Sequence, residues 1–239
     1  MADTPRLTGT IAPVVAVLAL FGMAVSLALT LPEDSQPVLT ADEVVESARP
    51  STVLISAIGC RFENSGSGVV LREGVVTNAH VVAGSDELMV VDASGTAHDA
   101  RLAGIDPELD LALLEVDGLE SAPLETGAPT GGTEVVAFVR SSESIEVQMA
   151  SVERTINIRS GDIYGQGTYL RRGLELQADI DAGDSGGAVV DLAGNVVGIV
   201  FSSSRGKQDV AYAVSAIEVE RFLARQNAAA VDSGECRRQ

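Results

Sequence analysis

The sequence predicts an all-β domain of sandwich or barrel type, closed by a C-terminal helix and preceded by one apolar membrane segment. Three observations carry this. Short apolar runs recur between residues 52 and 214, punctuated by Gly, Pro, Asp and Ser. Such spacing is the pattern of many short strands. The runs are rich in Val doublets, as at 69–70, 75–76, 135–136 and 196–197, and β-branched side chains fit a pleated surface. Residues 11–31 contain no charge at all.

Taken in order, residues 1–10 form a short N-terminal stretch, and residues 11–31 (IAPVVAVLALFGMAVSLALTL) come next. As a helix this apolar run reaches about the thickness of a bilayer core. It exceeds the ~7–15 residues of an ordinary signal-peptide core, which favours a retained anchor. A small-residue pattern at Ser26-Leu27-Ala28 keeps cleavage and secretion open. Arg6 before the run, with Glu33 and Asp34 after it, places the N-terminus in the cytoplasm and the remainder outside.

Residues 32–50 read as a linker and a short helix. Thr40 and Glu43 have the spacing of a capping box, and Pro50 stops the helix after Ala48. The runs TVLISAI, SGVVL, GVVTNA, ELMVVD and LALLEV precede a Gly/Pro/Thr-rich stretch at 121–132. EVVAFV, ELQADI, GAVVDL, NVVGIVF and DVAYAV follow it. The stretch divides the strands into a first group at about 51–120 and a second at about 133–214. Residues 215–229 have helical spacing of Ile217, Phe222 and Leu223, with Ser215 as N-cap.

The 239 residues are 46% hydrophobic but only 3% aromatic, with no Trp, so the core must come from Val, Leu, Ile and Ala. Thirty-four acids against 16 bases leave a formal net charge of −18. A surface of that sign repels phosphate backbones, which excludes nucleic acid as a partner. Cys60 and Cys236 are the only cysteines and lack metal-ligand spacing. No metal or organic cofactor is expected. The cysteines are either one disulfide or two free thiols, and an oxidising compartment favours the disulfide.

Three stretches carry chemistry: TNAHVV with His80, DLALL opening on Asp110, and GDSGG with Ser185 at its centre. A serine hydroxyl needs an adjacent base to become a nucleophile at neutral pH. An imidazole can take its proton, and a carboxylate on the other ring nitrogen fixes the tautomer. Glycines around Ser185 let the chain turn sharply and present N–H groups, here those of Gly183 and Ser185, to a developing oxyanion. The other histidine, His98, sits in a polar context that reads as an exposed turn or strand end.

In their His…Asp…Ser order these stretches resemble the trypsin-like serine peptidase family over residues 50–219. The GSGVV stretch at 66–70 is similar to the strand before the histidine in its HtrA/Deg-type branch. The resemblance implies a chymotrypsin-like fold of two six-stranded antiparallel β-barrels within residues 51–239. It also implies a triad of Ser185, His80 and Asp110 in the cleft, with protein or peptide substrates. No Ile-Val-Gly-Gly activation sequence precedes the first strands, and the stretch after Val219 is too short for a PDZ domain. The surroundings of Cys60 and Cys236 are similar to the paired cysteines of mycobacterial acid-resistance membrane serine proteases, which implies a Cys60–Cys236 disulfide. Asp179, six residues before Ser185, stands where the trypsin branch carries its specificity aspartate. With Ser202 and Tyr212 it makes a candidate S1 pocket.

Overall fold

The structure is a computed structural model that describes residues 38–140, 144–180, 184–204, 206–226 and 231–236. The apolar segment at 11–31 lies outside them. No helix among the described residues is long and apolar enough to cross a membrane.

The first described element is α1 (Ala41–Ala48), started by a complete capping box between Thr40 and Glu43. The Thr40 amide and hydroxyl both donate to the Glu43 carboxylate at 2.8 Å. These contacts hold the Glu43 carboxyl below its ordinary pKa. A 3₁₀ turn at Arg49–Ser51 follows, with Pro50 in its first turn.

Strands β1 (Thr52–Gly59), β2 (Phe62–Leu71), β3 (Gly74–Thr77), β4 (Glu87–Val91), β5 (Ala97–Asp106) and β6 (Leu111–Val116) close a first barrel in the order β1-β2-β3-β6-β5-β4. Strands β7 (Thr133–Arg140), β8 (Ile145–Gly161), β9 (Thr168–Gln177), β10 (Ala188–Asp191), β11 (Val196–Ser203) and β12 (Val210–Ser215) close a second in the order β10-β11-β12-β9-β8-β7. A four-residue helix α2 (Ala79–Val82) follows β3, and α3 (Ala216–Leu223) follows β12.

The Val doublets have a structural reason. Side chains alternate between the two faces of a strand, and here both faces are buried. In β2 and β3, Val70 and Val75 point into the first barrel with Val53, Ile55 and Leu114. Their neighbours Val69 and Val76 join a separate cluster with Val136, Phe138, Ile199 and Phe222 from the second barrel and α3. In β7 the alternation is complete: Val135, Ala137 and Val139 fill the second barrel, while Val136 and Phe138 face the first. Helix α1 seals the shared cluster with Val44 and Ala48. The absence of Trp is met by two fully buried Phe, Phe138 and Phe222, at the seam between barrels.

Three expectations are corrected. Strands β5 and β8, and most of β9, have no counterpart among the apolar runs. Alternate residues of the β8–β9 hairpin face solvent, so no continuous hydrophobic stretch marks it. His98 is the second residue of β5, at a strand end as expected, but its side chain is only 11% exposed, with Nε2 3.0 Å from Asp92 Oδ2. Helix α3 ends at Leu223 instead of running to 229, and Ser215 supplies no side-chain cap. Its hydroxyl is buried without a hydrogen-bond partner among the described residues.

Candidate active site

Asn78 is the N-cap residue of α2, and the one-turn helix sets His80 at its second position. Asp110 sits in the turn before β6 with a left-handed φ of 59°, a conformation that Asp tolerates better than most side chains. Both features serve one contact. The Asp110 carboxylate accepts from the His80 backbone N–H through Oδ1 at 2.9 Å and lies 2.8 Å from His80 Nδ1 through Oδ2. A carboxylate only accepts, so Nδ1 carries the ring proton and Nε2 is left as the basic nitrogen. The Asp110 side chain is 8% exposed and the His80 side chain 21%. The pair is therefore shielded on the acid side and open on the imidazole side.

The Asp110 turn is held at several points. Asp106 Oδ1 accepts from the Glu108 and Leu109 amides. The buried Asn78 amide donates to the Asp110 carbonyl at 2.9 Å.

Ser185 belongs to the second barrel, in the stretch just before β10. It begins a tight turn leading into β10, in which the Gly187 amide donates to the Asp184 carbonyl and the Gly186 amide to the Val200 carbonyl. The turn is stitched to the first barrel where the Ser67 amide donates to the Ser185 carbonyl at 2.7 Å. Ser67 in turn accepts at its carbonyl from the buried Thr77 hydroxyl at 2.6 Å. Thr77 is three residues before His80. Thus one short chain of hydrogen bonds ties the serine turn of one barrel to the strand that delivers the histidine of the other. Gly186 makes this approach possible. Its φ is +88°, and a Cβ there would stand 2.0 Å from the Ser67 carbonyl oxygen.

Gly183 lies outside the described residues. Asp179 is exposed and lines a cleft of about 550 Å³ together with Ser203, Ser204, Lys207 and Asp209. Ser202 and Tyr212 pair across β11 and β12 and are not part of that lining. The cleft is electrostatically mixed: two carboxylates face the chain's single lysine.

Cys60 and Cys236 form a disulfide with a Cα–Cα distance of 5.7 Å. The C-terminal segment beside it is docked on the turn that follows α2. The Gly84 amide donates to the Ser233 carbonyl, and the Ser233 hydroxyl donates to the Ser85 carbonyl. The bond closes a loop with a sequence separation of 176, for which loop-closure entropy sets an upper figure of about 5 kcal/mol. Replacing both cysteines with serine is expected to cost about 2–5 kcal/mol and to lower the melting temperature by about 5–15 °C. Calorimetry of the two forms checks this, and an unchanged melting temperature would contradict it.

Sequence reasoning noted the GSG stretch and TNAHVV but assigned no site role to Ser67 or Asn78. It also passed over Arg171, a lone basic residue in a strand, which has no local signature.

A double antiparallel barrel with a histidine–carboxylate pair on one half and a glycine-flanked serine on the other defines the trypsin-like class of peptidase. Residues 66–199 match the trypsin-like peptidase domain, and the chain belongs to that family. Serine protease Rv3671c of Mycobacterium tuberculosis is 33% identical over 208 residues, covering 84% of this chain and 52% of the relative. Serine protease HTRA1B of Danio rerio is 30% identical over 193 residues, covering 76% of this chain and 40% of the relative. The chain spans about half the length, or less, of these curated relatives. Among solved structures, the active form of the Rv3671c protease superposes with a TM-score of 0.78 at 30% identity, covering 84% of this chain and 95% of that one. The HtrA-type protease AlgW with a tripeptide gives 0.65 at 30% identity, covering 78% and 64%.

Proposed function

We propose that this protein is a serine endopeptidase, with Ser185 as nucleophile, His80 as general base and Asp110 as the acceptor that orients it. The observation that carries the reading is the double grip of Asp110 on His80, by ring and by backbone, beside a serine turn stitched to the same barrel. Ser185 Oγ attacks the scissile carbonyl carbon while its proton passes to His80 Nε2. The resulting imidazolium, stabilised by Asp110, returns the proton to the leaving amine as the C–N bond breaks. A water then attacks the acyl-enzyme by the same relay and releases the acid. The amides of Gly183 and Ser185 hold the oxyanion in both steps.

Substrates are proteins or peptides, and the region of Asp179, Ser202 and Tyr212 receives the side chain before the cleaved bond. The domain stands on the outer side of the cytoplasmic membrane, tethered through residues 11–31, or is secreted if that segment is cleaved. The disulfide supports this compartment, since such bonds persist where the surroundings are oxidising.

The full chain is expected to cleave a denatured protein such as reduced, alkylated casein at neutral pH, and Ser185→Ala is expected to lose all cleavage. Equal cleavage by the Ser185→Ala variant would contradict the assignment.

A further inference from the structure

Among the described residues Arg171 is the only arginine or lysine that is buried, at 4% exposure. It belongs to β9 of the second barrel, yet its Nη1 donates to the Leu109 carbonyl of the first barrel at 2.6 Å. Its Nη2 donates to the Ser160 hydroxyl of β8 at 2.6 Å, and its guanidinium carbon lies 4.4 Å from the centre of the Phe201 ring in β11. Nε is buried with no hydrogen-bond partner among the described residues. Burial pulls the guanidinium below its ordinary pKa, and the Asp110 and Asp106 carboxylates oppose that pull.

A buried cation is costly unless its surroundings repay the lost hydration. A brace within the second barrel would need no contact with Leu109. The contact falls on the peptide joining Leu109 to Asp110, the residue in the left-handed conformation. Strained residues persist only where the surroundings over-determine them. The Leu109 amide and the Asp110 carbonyl are held from within the first barrel, by Asp106 and Asn78. From beyond that barrel, Arg225 of the α3 end reaches Asp106 with a side chain that is 60% exposed. From the barrel that carries Ser185, the Ile163 amide donates to the Pro107 carbonyl at 3.3 Å at the start of the turn, whereas Arg171 holds the Leu109–Asp110 peptide itself and does so from a buried position.

We propose that Arg171 is a positioning residue of the peptidase reaction, fixing the Leu109–Asp110 turn from the second barrel and so registering the carboxylate, and His80 upon it, against Ser185. The proposal rests on the triad reading above. Its arrangement uses the forked geometry of arginine: one nitrogen donates to the Leu109 turn and another to β8 while the flat face stacks on Phe201. A lysine supplies the charge but a single point of donation, so it restores only part of the function.

The test compares wild type, Arg171→Ala and Arg171→Lys as full chains, by the second-order rate of fluorophosphonate labelling and by kcat and KM on a peptide substrate. Thermal unfolding is measured alongside, and Ser185→Ala is the labelling control. Arg171→Ala is expected to lose about 10–100-fold in kcat and in labelling rate, the scale for a misplaced catalytic group. KM should stay within about twofold, and added guanidinium ion at millimolar concentration should recover several-fold of the loss. Arg171→Lys should fall between the two. A labelling rate within twofold of wild type would overturn the proposal while leaving the triad standing. So would a loss that follows loss of the fold and is relieved by neither guanidinium nor lysine. A wild-type chain that does not label at Ser185 removes the triad reading, and this proposal with it.

Discussion

Replacing Asp110 with Asn is expected to lower kcat/KM by about 10⁴-fold while leaving the fold in place. Asn tolerates the left-handed backbone of this position, where φ is 59°. The failure arises at the side chain. Asp110 faces two N–H donors, the His80 backbone amide and Nδ1, at 2.9 and 2.8 Å. An amide offers one acceptor oxygen and one NH₂ group, so one of those contacts becomes donor against donor. The backbone amide cannot change, whereas the ring can move its proton from Nδ1 to Nε2. That tautomer presents a hydrogen rather than a lone pair to Ser185. Steady-state kinetics on a peptide substrate, with thermal unfolding as a check of the fold, measures the effect. A loss smaller than about tenfold would mean that Asp110 does not set the tautomer.

The second large effect is structural in origin. Gly186→Ala is expected to destabilise the protein by about 3 kcal/mol or more, combining left-handed strain with steric overlap. The corresponding fall in melting temperature is about 6–12 °C or more. The new methyl would lie 2.0 Å from the Ser67 carbonyl oxygen and 2.5 Å from Thr77 Oγ1, and neither is a flexible side-chain end. Relief requires the serine turn to back away from β2, breaking the Ser67–Ser185 stitch. Activity should therefore fall even in whatever fraction remains folded. A variant that melts and reacts like wild type would show that the barrels can shift apart here without consequence.

Much of the site was legible from the sequence because its chemistry is local. The glycines of GDSGG and the residues around His80 announce a sharp turn and a strand end, and these are short-range properties. The Val doublets likewise announced strands, and the structure supplies the reason: both faces of those strands are buried. The β8–β9 hairpin and β5 escaped notice for the converse reason. Most of their outward residues are polar, Met149 and Leu170 excepted, and period-two patterning with one wet face is weak when the inward residues include Ala and Arg. Arg171 is the sharpest case. A buried guanidinium is recognised by the carbonyl, hydroxyl and ring around it, and these lie 62, 11 and 30 positions away along the chain. The low exposure of the His98 ring was likewise unread, its imidazole meeting the Asp92 carboxylate in the turn that joins β4 to β5. The Ser67–Ser185 stitch joins two motifs that sequence reading had identified separately, and only the packed barrels bring them together.

The proposed reaction turns on Ser185 as a nucleophile activated by His80. The most direct measurement treats the full chain with a fluorophosphonate probe at neutral pH and maps the adduct by mass spectrometry. A single adduct on Ser185 is expected, lost in Ser185→Ala and strongly slowed in His80→Ala. Labelling that survives in Ser185→Ala, or a wild-type chain that takes up no probe, would contradict it.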